Sequence, residues 1–160
     1  MSLDGLCPRF AARCRAIERR ASARNVPIRW TSGLRTWDEQ AALYRIGRDE
    51  TGRDPARIVT NAPPGFSWHN YGLAADFVLL RPDGSGVEWS GLADLDGDRI
   101  IDWQEVGEAA EAEGCEWGGR WPKLLDLPHV QSRGGLTLAV ARTLFQTAGL
   151  PGVWAALTEV

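Results

Sequence analysis

Apolar positions along the chain change period several times, and each change marks an element. Phe10, Cys14, Ile17 and Ala21 recur at helical spacing with arginines between them, predicting a helix over 10–23 that Asn25 and Pro27 end. Ile28-Arg29-Trp30-Thr31 alternates as a strand does. Residues 37–46 read as a second helix with Gly47 at its stop. Glycine, three prolines and polar residues make 51–65 a loop, with one short strand expected at 57–60. Residues 72–80 are apolar around Asp76 and predict a buried strand, followed by a turn at 81–86. A helix is expected over 101–113, ended by Gly114, and a short strand at 130–131 beside the last histidine. Leu136, Leu138, Val140, Ala141, Leu144 and Phe145 space a third long helix over 136–148 that docks on the core, and 151–157 read as a fourth. Helices lead, short strands cluster in the middle and helices close the chain. That order predicts an α+β fold, a small, mostly antiparallel sheet with flanking helices. No repeat or linker divides residues 1–160, so one domain is expected.

Composition narrows the partners. A chain of 160 residues buries about 70% of its unfolded surface and needs no disulfides for a core. The net charge of −3 offers no basic field, so nucleic acid is not an expected partner. Cys7, Cys14 and Cys115 are expected to be buried free thiols. A disulfide between Cys7 and Cys14, on one face of a helix, is the alternative. Residues 1–10 lack the apolar run of a signal peptide, and no stretch is long enough to span a membrane. The expectation is a monomer made in the cytosol, without stable membrane association, whose extracellular work would need a separate exit.

The candidate chemistry is concentrated in two motifs. Ser67-Trp68-His69-Asn70-Tyr71-Gly72-Leu73-Ala74-Ala75-Asp76 and Asp126-Leu127-Pro128-His129 hold both histidines of the chain. A carboxylate in an apolar strand is costly unless paired, and a divalent cation removes that cost. His69, Asp76 and His129 form a three-ligand set with one position open, as a catalytic zinc requires. Such a zinc lowers the pKa of water to about 7. Asp126, three residues before His129 and restrained by Pro128, is expected to be the general base; a fourth zinc ligand or a partner of His129 is its alternative role.

Asp94-Leu95-Asp96-Gly97-Asp98-Arg99-Ile100-Ile101-Asp102-Trp103-Gln104-Glu105 reads as a calcium loop of the EF-hand kind. Asp94, Asp96, Asp98, the Ile100 carbonyl, Asp102 and Glu105 fall at the ligand positions. Arg99 stands where a glycine is expected, a defect of about 1–2 kcal/mol. Calcium is the expected ion, with a solvated acidic loop as the alternative, and its helix leads toward Trp117, so the ion is expected to order a wall of the site.

Several segments together resemble the zinc peptidases of bacterial cell walls, D-alanyl-D-alanine carboxypeptidases and dipeptidases and phage L-alanyl-D-glutamate endopeptidases, the last most closely. They are Ser32-Gly33-Leu34-Arg35-Thr36 with Glu39-Gln40, Ile58-Val59-Thr60-Asn61-Ala62, the Ser67–Asp76 motif, Glu116-Trp117-Gly118-Gly119 and 126–131. The resemblance implies a fold shared with the hedgehog signalling domain, His69, Asp76 and His129 as zinc ligands, Asp126 as base and Arg35 as the oxyanion arginine. It also implies substrate contacts at Ser67 and Gln40 and the peptidoglycan stem peptide as substrate. Trp68, Trp117 and Trp121 flank the site and are expected to line a substrate groove. The implied function is a phage-type endolysin, acting on the wall after membrane permeabilisation and cutting the L-alanyl-D-glutamate bond. A D,D-carboxypeptidase or dipeptidase on the same fold, and a non-catalytic zinc and calcium binding module, are the rivals.

Overall fold

Ala74–Leu80 is the strand on which the sheet is built, because its apolar side chains are buried on both faces. The computed structural model describes residues 3–49 and 52–158. The chain runs α1 (Pro8–Ala23), β1 (Ile28–Ser32), α2 (Trp37–Arg45), β2 (Arg48–Asp49), β3 (Gly52–Arg53), β4 (Ala74–Leu80), β5 (Val87–Glu88), α3 (Asp102–Ala112), β6 (Glu116–Trp117), β7 (His129–Gln131) and α4 (Leu138–Ala155). The sheet order is β1-β4-β7-β6, β5 pairs with β4, and each of these pairings is antiparallel. β2 and β3 form a separate hairpin. This is the α+β arrangement the periodicity predicts.

Each helix shows why its segment folds as it does. Pro8 starts α1, where a missing N–H costs nothing. Its apolar stripe, Phe10, Ala11, Cys14, Ile17 and Ala21, is buried. Thr36 and Glu39 form a reciprocal capping box that fixes the start of α2 directly after Arg35. Thr137 caps α4, and Gly149 (φ 64°, ψ −162°) breaks its path, so the two predicted C-terminal helices meet there at a kink. They dock on the core: Ala141 is buried, Phe145 stacks on Trp37 at 5.5 Å, and Trp154 Nε1 donates to the Tyr71 carbonyl at 2.8 Å. Val140 lies outside this stripe and is exposed.

One expectation is corrected, and that of buried free thiols is met. Residues 58–60 are not a strand; the Thr60 carbonyl accepts from Arg48 Nη1 at 2.9 Å rather than from a neighbouring strand. Cys7, Cys14 and Cys115 are all free and buried, so the Cys7–Cys14 disulfide does not form.

Candidate active site

The strand register places the first two site residues face to face. Asp76 of β4 lies directly opposite His129 of β7, and Ser32 at the end of β1 opposes Asp76 from the other side. His69 arrives from a short 3-10 turn, Trp68–Tyr71, that Gly72 closes in the left-handed region at φ 65°. A side chain at Gly72 would also meet the Gly5 carbonyl at 2.9 Å, so backbone sterics and packing both demand glycine. Asn70 fastens this turn to the next segment: its Nδ2 donates to the Arg35 carbonyl at 2.9 Å, and the Arg35 N–H donates to the His69 carbonyl at 3.0 Å.

His69 Nε2 and His129 Nδ1 converge on Asp76 Oδ1, at 3.3 and 3.1 Å. The three ligand atoms lie within 4.8 Å of one another. The far nitrogens are also engaged. His69 Nδ1 donates to the Gly33 carbonyl at 2.8 Å. Gln131 Nε2 donates to Glu116 Oε2 at 3.0 Å, which leaves Gln131 Oε1 to accept from His129 Nε2 at 3.0 Å. Glu116 is paired in turn with Arg133. Both far nitrogens therefore carry the proton, and the nitrogens facing Asp76 present lone pairs. A hydrogen bond to Asp76 would require one of them to be protonated; a divalent cation replaces that proton with charge all three ligands share. The donor set thus fits zinc.

Burial alone would raise the Asp76 pKa, but the hydrogen bonds that His129 and His69 make when the facing nitrogens take up a proton outweigh it and hold the carboxyl well below the usual range. Burial lowers His129, and the bond and charge of Asp76, with Gln131, more than reverse this, so its pKa is raised. Asp126 behaves differently: burial pushes its carboxyl up, with His129 pulling it down and Asp76 pushing it further up. It lines the same groove as the three candidate ligands but is not one of their cluster. Gly118 makes room for it, since a Cβ there would meet the Asp126 carbonyl oxygen at 2.4 Å.

Arg35 completes the ring. Its Nη2 lies 3.8 Å from Asp76 Oδ2 and donates to Ser32 Oγ at 3.0 Å, while Nη1 donates to Gln40 Oε1 at 2.8 Å. The groove encloses about 940 Å³, and Ser67, Trp68, Trp89 and Trp121 are among its walls. Trp121 lies 5.1 Å from the His129 ring, centroid to centroid.

Two expected substrate contacts lie behind the groove rather than in it. Gln40 is fully buried and orients Arg35, with Nε2 donating to the Ala62 carbonyl at 2.7 Å. Trp117 is buried against Gly107 and Gly119, whose Cβ positions would fall 2.2 and 2.1 Å from its ring, and its Nε1 donates to the Leu127 carbonyl at 2.8 Å. It thereby steadies the residue next to Asp126. Residue-type reasoning missed Ser32, Glu116 and Trp89. For Gln131 a signal existed, since residues two apart on a strand share a face with His129.

Comparison with known proteins adds a further layer. A family model described as D-alanyl-D-alanine carboxypeptidase matches residues 4–88, and a second with that description matches residues 60–132. The chain is 40% identical over 116 residues to the peptidoglycan L-alanyl-D-glutamate endopeptidase CwlK of Bacillus subtilis (strain 168), covering 72% of this chain and 66% of the relative. It is 31% identical over 98 residues to the L-alanyl-D-glutamate peptidase of Listeria phage A118, covering 61% of this chain and 27% of that one. The chain thus spans less than two thirds of the length of both curated relatives. Among solved structures, the Serratia marcescens L-Ala D-Glu endopeptidase ChiX superposes with a TM-score of 0.51 at 28% identity, over 92% of this chain and 86% of that one.

Proposed function

This chain belongs to the D-alanyl-D-alanine carboxypeptidase family and has its α+β fold, and on that premise we propose that it is a zinc-dependent peptidoglycan endopeptidase cutting the L-alanyl-D-glutamate bond of stem peptides. The observation that carries the reading is the convergence of His69, Asp76 and His129 on one point, with Asp126 and Arg35 in the same groove.

When bound by those three residues, zinc supplies Lewis acidity and lowers the pKa of water to about 7. Asp126, its pKa raised by burial, accepts a proton from the attacking water and returns it to the departing amine nitrogen. Arg35, held by Gln40 and Ser32, donates to the carbonyl oxygen as that atom gains negative charge. Trp117 keeps the Asp126 segment in place through Leu127.

The groove favours an endopeptidase over a carboxypeptidase. A carboxypeptidase must hold the terminal carboxylate of its substrate, for which a guanidinium or ammonium is the strongest side-chain partner. Arg35 is the only arginine or lysine among the described residues that line the groove, and the proposed reaction uses it at the scissile carbonyl. Val59, Phe66, Trp89, Leu124 and Leu125 are exposed along the walls, so an extended peptide could continue past the reacting bond. Use as an endolysin, released to the wall once the membrane is breached, belongs to the same proposal and is supported by the phage relative. No helix among the described residues is long and apolar enough to cross a membrane.

Mass spectrometry of fragments released from purified peptidoglycan by the zinc-loaded protein tests the proposal. Stem peptides beginning at D-glutamate, with L-alanine left on the glycan, are expected. Loss of terminal D-alanine alone would assign a carboxypeptidase, and intact peptidoglycan with zinc bound would assign a binding module.

A further inference from the structure

The loop that precedes α3, a helix whose Trp103 packs on Phe77 of β4 at 5.3 Å, collects carboxylates in a way the peptidase chemistry does not use. Asp94, Asp96, Asp98, Asp102 and Glu105 lie within twelve residues. Carboxylate oxygens of Asp94, Asp96 and Asp102 lie within 4.8 Å of one another, as do those of Asp96, Asp98 and Glu105. Asp96 belongs to both groups and so links the five carboxylates.

A solvated acidic loop would turn these groups outward, and two of them do the reverse. Asp102 is 1% exposed and Glu105 3% exposed, and Asp102 Oδ1 and Glu105 Oε2 are buried without a hydrogen-bond partner. The other oxygen of Asp102 accepts from the Leu95 N–H at 3.1 Å, and that of Glu105 has only Arg24 Nη1 at 3.9 Å. A buried carboxylate oxygen without a partner costs several kcal/mol unless a cation meets it. The backbone is shaped for that cation. Arg99 adopts φ 74°, in the left-handed region that a side chain disfavours, at the place where a calcium loop turns sharply. Asp94 accepts from the Gly97 and Arg99 N–H groups, at 2.8 and 3.1 Å, and so ties the loop into a ring.

We propose that residues 94–105 bind one calcium ion through the carboxylates of Asp94, Asp96, Asp98, Asp102 and Glu105 and the carbonyl of Ile100. Oxygen donors alone, in this number, suit calcium rather than a transition metal. The ion would hold the first turn of α3, where Trp103 Nε1 donates to the Ser90 carbonyl at 2.7 Å and Trp103 stacks on Trp89 at 6.3 Å. Trp89 is a wall of the groove, so the site borders the peptidase machinery without sharing a ligand with it.

Calorimetric titration of the zinc-loaded chain with calcium chloride, with magnesium chloride as control, tests this. One calcium per chain with a Kd of about 10⁻⁴ M or tighter is expected. At a hundredfold excess over that Kd, the unfolding midpoint should rise by about 5–10 °C. Glu105→Gln should lose the heat and the midpoint rise, while without calcium it unfolds no earlier than the wild type, because one buried charge has gone. Asp94→Asn, at an exposed position, should also lose binding with the fold intact. Absence of heat and shift in the wild type, an equal response to magnesium, or a full calcium response in both variants would overturn the proposal. The readouts are binding and stability, so they stand apart from any failure of the peptidase reading.

Discussion

At the sheet site one carboxylate, Asp76, meets two imidazoles and a guanidinium, whereas the loop before α3 gathers five carboxylates and leaves Asp102 Oδ1 and Glu105 Oε2 without partners. In the first cluster Arg35 faces Asp76 and each far imidazole nitrogen has an acceptor, so the outer partners are satisfied and only the converging lone pairs await a cation. In the second, backbone N–H groups meet Asp94 and Asp102, but the nearest cation among the described residues is Arg24 at 3.9 Å from Glu105; burial, and then the like charges of the loop, push the carboxyls of Asp102 and Glu105 upward. A site whose ligands are oriented by their own outer partners is pre-organised for catalysis. A site left unsatisfied couples its own stability to an ion.

The contrast can be broken most forcefully at Asp126, which belongs to the sheet site by position and yet is not one of its ligands. Asp126→Asn should lower turnover on peptidoglycan by about 10²–10⁴-fold while zinc content stays at one per chain. Loss of zinc along with activity, read by metal analysis, would make Asp126 a ligand instead. Arg35→Lys is expected to cost about 10²–10³-fold in kcat, because one ammonium cannot satisfy Gln40 and Ser32 and still meet a carbonyl. An unchanged kcat would remove Arg35 from the reaction.

Gln131→Ala probes whether the outer partners orient the ligands. Without its amide, His129 loses the acceptor that fixes its tautomer, and zinc affinity measured against a competing chelator should fall about 10–100-fold. An unchanged affinity would mean that the outer partners are ornamental and the two clusters differ less than they look. The smallest effect concerns the border between them. Calcium should raise the initial rate of wall cleavage by about fivefold in the wild type and not in Glu105→Gln. Equal responses would detach the loop from the groove.

Much of this was legible in the residues alone, for physical reasons that differ by site. Zinc candidates stood out because the chain has only two histidines and an aspartate is expensive in an apolar strand. The acidic loop proposed to hold calcium stood out because its carboxylates lie within twelve residues of one another at regular spacing. Helix limits were readable to within a few residues, as the stripe of Phe10, Cys14, Ile17 and Ala21 and the stop at Gly47 illustrate. The roles of Gln40 and Trp117 were not. A glutamine on a short helix and a tryptophan before two glycines look like groove residues until packing turns one toward Arg35 and buries the other against Gly107. The strand expected at 57–60 failed for a similar reason, since β-like residues there have their carbonyl taken by Arg48.

The sequence by itself determined which chemical groups are available, and it determined the loop at 94–105, where local backbone preference and side-chain spacing act over a dozen residues. Tertiary structure decided the distances between groups far apart in the chain. Asp76 faces His129 because antiparallel pairing of β4 with β7 settles in one register, and a slip of one residue would send the aspartate to the opposite face. That register follows from burying both faces of β4, a property of the whole core rather than of either motif.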